Sequence, residues 1–530
     1  MLVAWSYLCS AADHHSVTLH GGPSHDGRYL SFVDGATGEL AIRETATGLS
    51  RNITTKPAGS KEFAYFSSIS RDSRKVAYAW FNDEGFYDLR VVDIDGSNRR
   101  VLYRNEQAGF VQPCAWAPDG KQILTLFFRK DNISQIALVP VDGGPPKILR
   151  SLHWVYPKRM DMSPDGRFIV YDSFAATDAG ERTIFLLAVD GAKETKLVDK
   201  PGNHLFPLWT PDGRSVVFIS NQDVMSVRIE DGRVLGEPKL LLRDPGRILP
   251  MGITSDGNYY YGVRSGEVDV FVTDFVNPAA RAKRLTLRFP GRNSSPAWAP
   301  DGKSLAYLSR RGTENFGQES RTIIIRTFAP DEERELPIKL AHIERVRWAP
   351  DARSILVSGS DNKGRGGLYS VDLQTGSLRP LVVEAGASFR GFEGVWSADG
   401  KSLFHIHGDS GLRLGDKVLF QAQGLRNLVA APDDRSLAFC EGDDIVIVPM
   451  DGRVTRRVPM ANVNELEWGS SLIAGTGSDL WEIPKDGPPR KLAAPANRQT
   501  GMSLHPDGAR IAITAGRISS EVKVLKLSLK

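Results

Sequence analysis

The sequence predicts an all-β protein made of tandem β-propellers, with about twelve four-stranded blades that divide most simply into two six-bladed rings. Three observations predict this class. A turn of the form Pro-Asp-Gly followed by Lys or Arg recurs along the chain, its spacing matches the length of one blade, and Val, Ile, Phe and Tyr dominate the segments around it. No window shows sustained helical periodicity.

The recurring turn defines the repeat. Clear copies span 117–121, 163–167, 210–214 and 299–303, and an eroded copy is expected at 468–471. The first eight gaps between successive turn aspartates are 44 to 50 residues, and a period of about 40–50 residues with four short strands is the size of a propeller blade. We expect each carboxylate to cap its own turn. The aspartates are Asp26, Asp72, Asp119, Asp165, Asp212, Asp256, Asp301, Asp351, Asp399, Asp433 and Asp507.

Twelve blades exceed the usual four to eight per ring, so we predict two rings. An even division gives a first propeller at 1–286 and a second at 287–530, and a division of seven plus five blades stays open. The last repeat ends without a fourth strand, which residues 2–8 could supply as a clasp. Tryptophans recur just before the turn, which indicates packing between blades; they are Trp116, Trp209, Trp298, Trp348 and Trp396.

Composition argues against several functions. The net charge is only 67 − 63 = +4, so we predict no nucleic-acid partner. No run of about 18 apolar residues occurs, so we predict no membrane span. His405 and His407 share one face of a strand, but the sequence shows no third or fourth ligand, and the three cysteines form no CxxC motif. We therefore predict neither a metal site nor a cofactor.

Loop length points to a candidate binding face. In a propeller the connections between second and third strands emerge on one face of their ring, and long loops on a rigid scaffold are where recognition concentrates. These connections are long at 82–88, 174–182, 310–321 and 360–367. Ordinary solvated loops are the alternative interpretation. The candidate ligand- or partner-binding residues are Asp83, Phe86, Tyr87, Phe174, Arg182, Arg310, Arg311 and Phe316.

The Ser-Pro-Asp-Gly-Lys/Arg turn at this spacing resembles the PD40 (WD40-like) repeats of bacterial TolB-type β-propellers, over nearly all of residues 20–530. The resemblance is specific for fold and says little about function. It implies a soluble protein and favours the periplasm. The extra domain that carries the TolB partner surface has no counterpart in front of the first repeat, so no partner-binding residues are carried over.

Two functions remain open. We favour a non-catalytic binding or scaffold propeller that recognises a protein or a small ligand through loops on one face. The alternative is an enzyme, a hydrolase or lyase acting on a sugar or lactone, with its site in the axial mouth of one ring. The sequence contains no Gly-x-Ser-x-Gly motif and only 10 histidines, and no ligand position repeats on first strands. The sequence does not predict an oligomeric state.

Overall fold

The computed structural model describes residues 5–6 and 20–527, except for 61, 132, 154–156, 175–180, 192, 247, 275–281, 287–291, 312–319, 362–364, 386–391, 408–410, 423, 478 and 494–498. Regular structure in these residues consists of β-strands alone, in nine four-stranded sheets, one three-stranded sheet and one six-stranded sheet. The all-β, multi-bladed prediction is confirmed. Within the described ranges, no helix is long and apolar enough to cross a membrane.

The chain separates into two compact units. Unit 1 holds the described residues up to 265 together with 519–527, and unit 2 holds those from 266 to 518. The strands that begin in unit 1 are β1 (Trp5–Ser6), β2 (Tyr29–Val33), β3 (Leu40–Glu44), β4 (Ser50–Asn52), β5 (Phe63–Ile69), β6 (Lys75–Phe81), β7 (Tyr87–Asp93), β8 (Arg100–Tyr103), β9 (Ala108–Trp116), β10 (Gln122–Arg129), β11 (Ile133–Pro140), β12 (Lys147–His153), β13 (Met160–Met162), β14 (Phe168–Phe174), β15 (Arg182–Ala188), β16 (Glu194–Lys196), β17 (His204–Trp209), β18 (Ser215–Ser220), β19 (Asp223–Glu230), β20 (Arg233–Leu242), β21 (Ile248–Ile253) and β22 (Asn258–Asp274).

The remaining strands begin in unit 2. They are β23 (Lys283–Arg284), β24 (Asn293–Trp298), β25 (Ser304–Arg311), β26 (Ser320–Phe328), β27 (Asp331–Leu336), β28 (His342–Trp348), β29 (Ser354–Ser360), β30 (Arg365–Asp372), β31 (Leu378–Ala385), β32 (Phe392–Trp396), β33 (Leu403–His407), β34 (Leu412–Leu414), β35 (Lys417–Phe420), β36 (Arg426–Ala430), β37 (Ser436–Glu441), β38 (Asp444–Pro449), β39 (Arg456–Pro459), β40 (Glu465–Trp468), β41 (Leu472–Thr476), β42 (Asp479–Ile483), β43 (Arg490–Ala493), β44 (Gln499–Leu504) and β45 (Arg510–Lys526).

The repeated turn works as its composition predicts. In the fourth repeat the hydroxyl of Ser163 donates a 2.6 Å hydrogen bond to Asp165 Oδ1, and the backbone N–H of Arg167 donates to the same oxygen at 3.0 Å. Gly166 takes a φ of 75°, which a glycine adopts without steric cost. The carboxylate therefore caps its own turn, and the same bond from two residues downstream occurs at Asp119, Asp301 and Asp399.

The innermost strand of many blades is irregular. Side chains of a neighbouring blade can accept the backbone N–H groups that this irregularity leaves unpaired. In β17 the register against β18 shifts between Leu205 and Leu208, and Phe206 takes a φ of 56°. The backbone N–H of Phe206 then donates to Asp172 Oδ2, on the preceding blade, at 3.1 Å. Because a buried backbone N–H needs a partner, these side chains join consecutive blades at the inner edge.

First strands contact one another in order within unit 2. Contacts run from β24 to β28, from β32 to β36, from β36 to β40 and from β40 to β44, with β32 also against β29 and β30 of the blade before it. The last of them, β44, contacts β24, so the sequence of neighbours returns to its start. This is the order that a closed ring requires. Two six-bladed rings, with the division after residue 286, stay a prediction.

Two 17-residue strands contribute to both units. Strand β22 runs from unit 1 into unit 2, and β45 runs from unit 2 into unit 1. Their sheet has the order β1-β45-β22-β21, and β23 and β44 pair with β22 and β45. At the outer edge β1 pairs with β45 through Trp5–Val524 and Ser6–Lys523, and both β45 residues lie in unit 1. The clasp for the last repeat stays a prediction.

Candidate functional site

The loop between β6 and β7 in unit 1, residues 82–86, is a short turn closed by hydrogen bonds. It contains Asp83 and Phe86, and Tyr87 follows it at the start of β7. The N–H of Asn82 donates to the carbonyl of Phe86 at 2.9 Å, and the N–H of Phe86 donates to Asn82 Oδ1 at 3.0 Å. Gly85 takes a φ of 84° at the bend. Asp83 is exposed at the tip and accepts a 3.0 Å hydrogen bond from the hydroxyl of Ser60. The loop therefore presents Asp83 and Phe86 on a fixed backbone.

A buried carboxylate holds the base of this loop. Asp88 is fully buried and forms ion pairs with Arg90, at 2.7 Å, and with Arg104, at 2.8 Å. Burial raises the pKa of Asp88, but the hydrogen bonds from Arg104 and Arg90 outweigh it and leave the pKa below its usual value. Arg104 also reaches Glu84 in the loop at 3.7 Å. Asp88 on β7 and Arg104, directly after β8, therefore hold the base of the loop in place.

Seven aromatic rings form one contiguous group beside the loop, which we call the ring cluster. Its members are all partly buried, and consecutive centroids lie 4.6 to 6.3 Å apart, the range in which aromatic pairs attract. Phe63 stacks on Phe81 at 5.1 Å, and Tyr87 meets Phe110 edge to face at 5.1 Å. The cluster consists of His20, Phe63, Tyr65, Phe66, Phe81, Tyr87 and Phe110.

Strand register explains why these rings converge. Phe81 pairs with Phe63 on one side and with Tyr87 on the other, so the start of β5, the end of β6 and the start of β7 share one edge. The register between β5 and β6 shifts between Ala64 and Ser67, which leaves Tyr65 unpaired against β6 and bends the inner strand. This edge is also where the 82–86 loop emerges, so cluster and loop lie on the same face.

Two other predicted residues pack on each other in blade four. Arg182 lies over the ring of Phe174 at 4.9 Å and donates to the carbonyl of Asp172 at 3.0 Å. Its exposed fraction is only 2%, and Asp172 is fully buried. The structure therefore gives Arg182 a position inside the blade, where it holds the start of β15 against the end of β14. A groove of about 320 Å³ lies next to it, lined mainly by charged residues that include the 2.7 Å ion pair of Lys196 and Asp199.

The remaining predicted residues lie at the end of β25 in unit 2. Arg310 is partly buried and pairs in register with Arg321, and Arg311 is the last residue of its strand. Phe316 lies outside the described residues. The described candidate residues thus fall in three blades. Asp83 and Phe86 lie in the loop beside the ring cluster, and Tyr87 belongs to the cluster.

Sequence reasoning did not identify a cluster of charged side chains on the innermost strands of unit 2. Arg345 on β28 forms ion pairs with Glu465 on β40, at 2.7 Å, and with Glu393 on β32, at 3.5 Å. Both oxygens of Glu393 also accept backbone N–H groups, from Asn427 at 3.0 Å and Leu428 at 2.9 Å. The available signal was the alternation of charged residues on first strands, just before the tryptophan of the repeat.

The comparisons with known proteins agree with the blade structure. Residues 72–229 match the family model described as PD40, TolB beta propeller domain. This part of the chain is therefore similar to the PD40 β-propellers of TolB. "Tricorn protease homolog 1" of Streptomyces coelicolor is 24% identical to this chain over 417 residues, which are 71% of the chain and 37% of that protein. "Tol-Pal system protein TolB" of Anaeromyxobacter dehalogenans is 27% identical over 34% of the chain and 37% of its own length.

The chain matches only part of the length of each of these relatives. The chain spans between about a fifth and about a half of the length of the first curated relatives, and "Uncharacterized peptidase YuxL" of Bacillus subtilis is matched over 20% of its length. Among solved structures, "The structure of putative TolB from Agrobacterium tumefaciens" is 22% identical, with a TM-score of 0.34, over 43% of the chain and 82% of that protein.

Proposed function

We propose that this propeller is a non-catalytic binding or scaffold protein whose partner is another protein, recognised at the ring cluster and the 82–86 loop of unit 1. The observation that carries the proposal is the cluster itself: seven partly buried rings that contact one another on one face of unit 1. Aromatic residues dominate the energetics of protein interfaces because each contributes a large area at low entropic cost.

The charges around the cluster favour a partner with basic side chains. Asp83 is exposed, and Glu62 and Glu84 both act on the Arg104 guanidinium beside the loop. Lys130 already lies 4.9 Å over the ring of Phe86, which shows that a cation is accommodated on this surface. We infer that an arginine or lysine of the partner stacks on the remaining rings and pairs with Asp83.

The names of the relatives fit this proposal. Several are called "Tol-Pal system protein TolB", a name that makes each of them a protein of a larger system. By the same resemblance we propose a periplasmic location.

The enzyme alternative is less well supported, although carboxylates do converge on the innermost strands of unit 2. There Glu393 is fully engaged by two backbone N–H groups and Arg345, and this leaves it poorly suited to acid–base chemistry.

The test uses immobilised 12-residue peptides of three kinds, Arg/Lys-rich, Asp/Glu-rich and uncharged. We expect the protein to bind the basic set preferentially, and the double variant Tyr65→Ser/Tyr87→Ser to bind at least about fivefold more weakly, as truncated interface aromatics do. Asp83→Asn should weaken binding of the basic set alone. The matched control is Asp416→Asn, an exposed loop carboxylate in unit 2. Equal binding of acidic peptides, or binding unchanged in the double variant, would refute the proposal.

A further inference from the structure

Two strands of unit 2 present charged side chains in matching pairs. On β28, Arg345 and Arg347 flank Val346, and on β40, Glu465 and Glu467 flank Leu466. Val346 and Leu466 are buried in the hydrophobic core. Because side chains alternate along a strand, the two arginines share the face opposite Val346, and the two glutamates share the face opposite Leu466. The strands therefore present two possible Arg–Glu pairs.

In the first pair, Arg345 and Glu465 contact each other. Arg345 Nη1 lies 2.7 Å from Glu465 Oε1, and Arg345 Nη2 donates to Glu465 Oε2 at 3.2 Å. This bidentate arrangement joins strands 120 residues apart in the sequence. Glu393 adds a second carboxylate at 3.5 Å. Arg345 is thus already engaged by two carboxylates.

The second pair is Arg347 and Glu467, and no ion pair joins these two side chains in the described part of the chain. Arg347 is partly buried, and its backbone pairs with Leu356, yet within the described part of the chain its side chain makes no hydrogen bond and no ion pair. Its charge nevertheless reaches Glu467: burial raises the pKa of Glu467, and Arg347 is the strongest opposing influence. The backbone N–H of Leu504 also interacts with Glu467. Its guanidinium therefore has N–H donors that are free to bind a carboxylate or water.

We propose that unit 2 binds a small zwitterion, a free α-amino acid, between Arg347 and Glu467, with the ligand carboxylate on the guanidinium and the ligand ammonium on the glutamate. This site is separate from the ring cluster and independent of the function proposed for it. Charge complementarity selects the ligand class. A simple anion would meet the three carboxylates Glu393, Glu465 and Glu467, and a simple cation would leave Arg347 unneutralised.

The experiment measures binding to the full chain by calorimetry and thermal shift, first with an equimolar mixture of the twenty free L-α-amino acids and then with each alone. Acetate and methylammonium are the probes for a lone anion and a lone cation. Two variants, Arg347→Gln and Glu467→Gln, each remove one contact. The matched controls are Arg379→Gln and Glu332→Gln, both exposed in unit 2. Circular dichroism checks that every variant is folded.

At least one amino acid should bind to the wild type and to both controls, and its affinity should fall at least about tenfold in Arg347→Gln and in Glu467→Gln, the loss typical of a charge-assisted hydrogen bond. Acetate and methylammonium should bind far more weakly. Should either variant fail to fold, Arg347→Lys keeps the charge, alters the geometry and is expected to weaken binding in the same way. Absence of binding by every amino acid, binding unchanged in the folded variants, or acetate binding as tightly as the amino acid would overturn the proposal.

Discussion

The indole Nε1 of Trp348 donates a 2.9 Å hydrogen bond to the carbonyl of Ala297 on the neighbouring blade. Trp116 makes the same bond to Ser68 in unit 1, also at 2.9 Å. Both tryptophans precede a repeat turn, and at these two positions the bond links consecutive blades. The expectation that these tryptophans pack between blades is met at both positions.

Removing the indole N–H should destabilise the propeller. In Trp348→Phe the carbonyl of Ala297 loses its partner, and we expect a loss of about 1 kcal/mol in the free energy of unfolding. Urea denaturation followed by circular dichroism measures it. Trp481→Phe is the control, because that indole donates to Thr476 of its own blade. A larger loss in the control than in Trp348→Phe would contradict the assigned role.

Arg182→Ala should act on stability. The change removes the buried partner of Asp172 and the cation over Phe174, and losing one partner of a buried ion pair costs about 3 kcal/mol. We expect a lower melting temperature, with peptide binding at the ring cluster unchanged at temperatures where the variant is folded. Calorimetry and the peptide array measure these two quantities. A normal melting temperature with lost binding would return Arg182 to the recognition surface.

Gly516 is needed for strand pairing within unit 2. A Cβ at this position would lie 2.0 Å from the carbonyl oxygen of Glu267 on β22, far inside van der Waals contact. We expect Gly516→Ala to lower the free energy of unfolding by at least about 2 kcal/mol, because a backbone oxygen cannot yield as a flexible side chain does. Gly475→Ala is the control, since its nearest neighbour would be Met502 at 3.5 Å. Equal losses in the two variants would argue against this steric account.

Stability should fall in acid through the turn aspartates. Burial raises the pKa of Asp507, but hydrogen bonds from the Ala509 N–H and from Arg510 outweigh it and lower the pKa to about 2 from 3.8. A lowered pKa gives stability that is complete above pH 3.8 and is lost as the pH falls towards 2. Asp507→Asn should reduce this slope, which denaturation at several pH values measures. An unchanged slope would contradict it.

Glu465 should give the opposite dependence near neutrality. Burial raises its pKa to about 7 from 4.5, against the lowering influence of Arg345. The folded state therefore holds a proton that the unfolded state releases, so stability falls as the pH rises from 4.5 to 7. Glu465→Gln should flatten that part of the profile, leaving the share due to Glu467, whose pKa is also raised. Glu332→Gln, exposed in unit 2, should keep the full slope. A full slope in Glu465→Gln would refute the assignment.

Local chemistry accounts for what the sequence could predict. Pro-Asp-Gly turns specify their own geometry, so the hairpins around Asp165 and its counterparts follow from a few adjacent residues. The predicted 82–88 connection is the shorter loop 82–86 in the structure, and it lies beside the ring cluster. Phe63 and Phe110 were missed because they converge only through strand register, between blades 47 residues apart in the sequence.

Long-range pairing accounts for the rest. Nothing near β45 indicates that its second half pairs with β1, some 500 residues earlier in the sequence. Arg182 resembled a loop arginine because its burial depends on Asp172, at the end of the preceding strand. The charged pairs on β28 and β40 did have a signal, the motif Arg-x-Arg-Trp against Glu-x-Glu-Trp. Only the fold shows that these two motifs face each other.

The division of β22 and β45 between the units has a consequence for synthesis. Unit 1 takes most of its strands from the first 265 residues, but its last sheet also needs residues after 518. A ribosome therefore makes all of unit 2 before unit 1 can be completed, and nascent unit 1 exposes an unpaired β22 edge throughout that time. We therefore expect unit 1 to begin folding first and to complete folding last. We also expect chaperones to contact mainly the unpaired edge of β22 during translation.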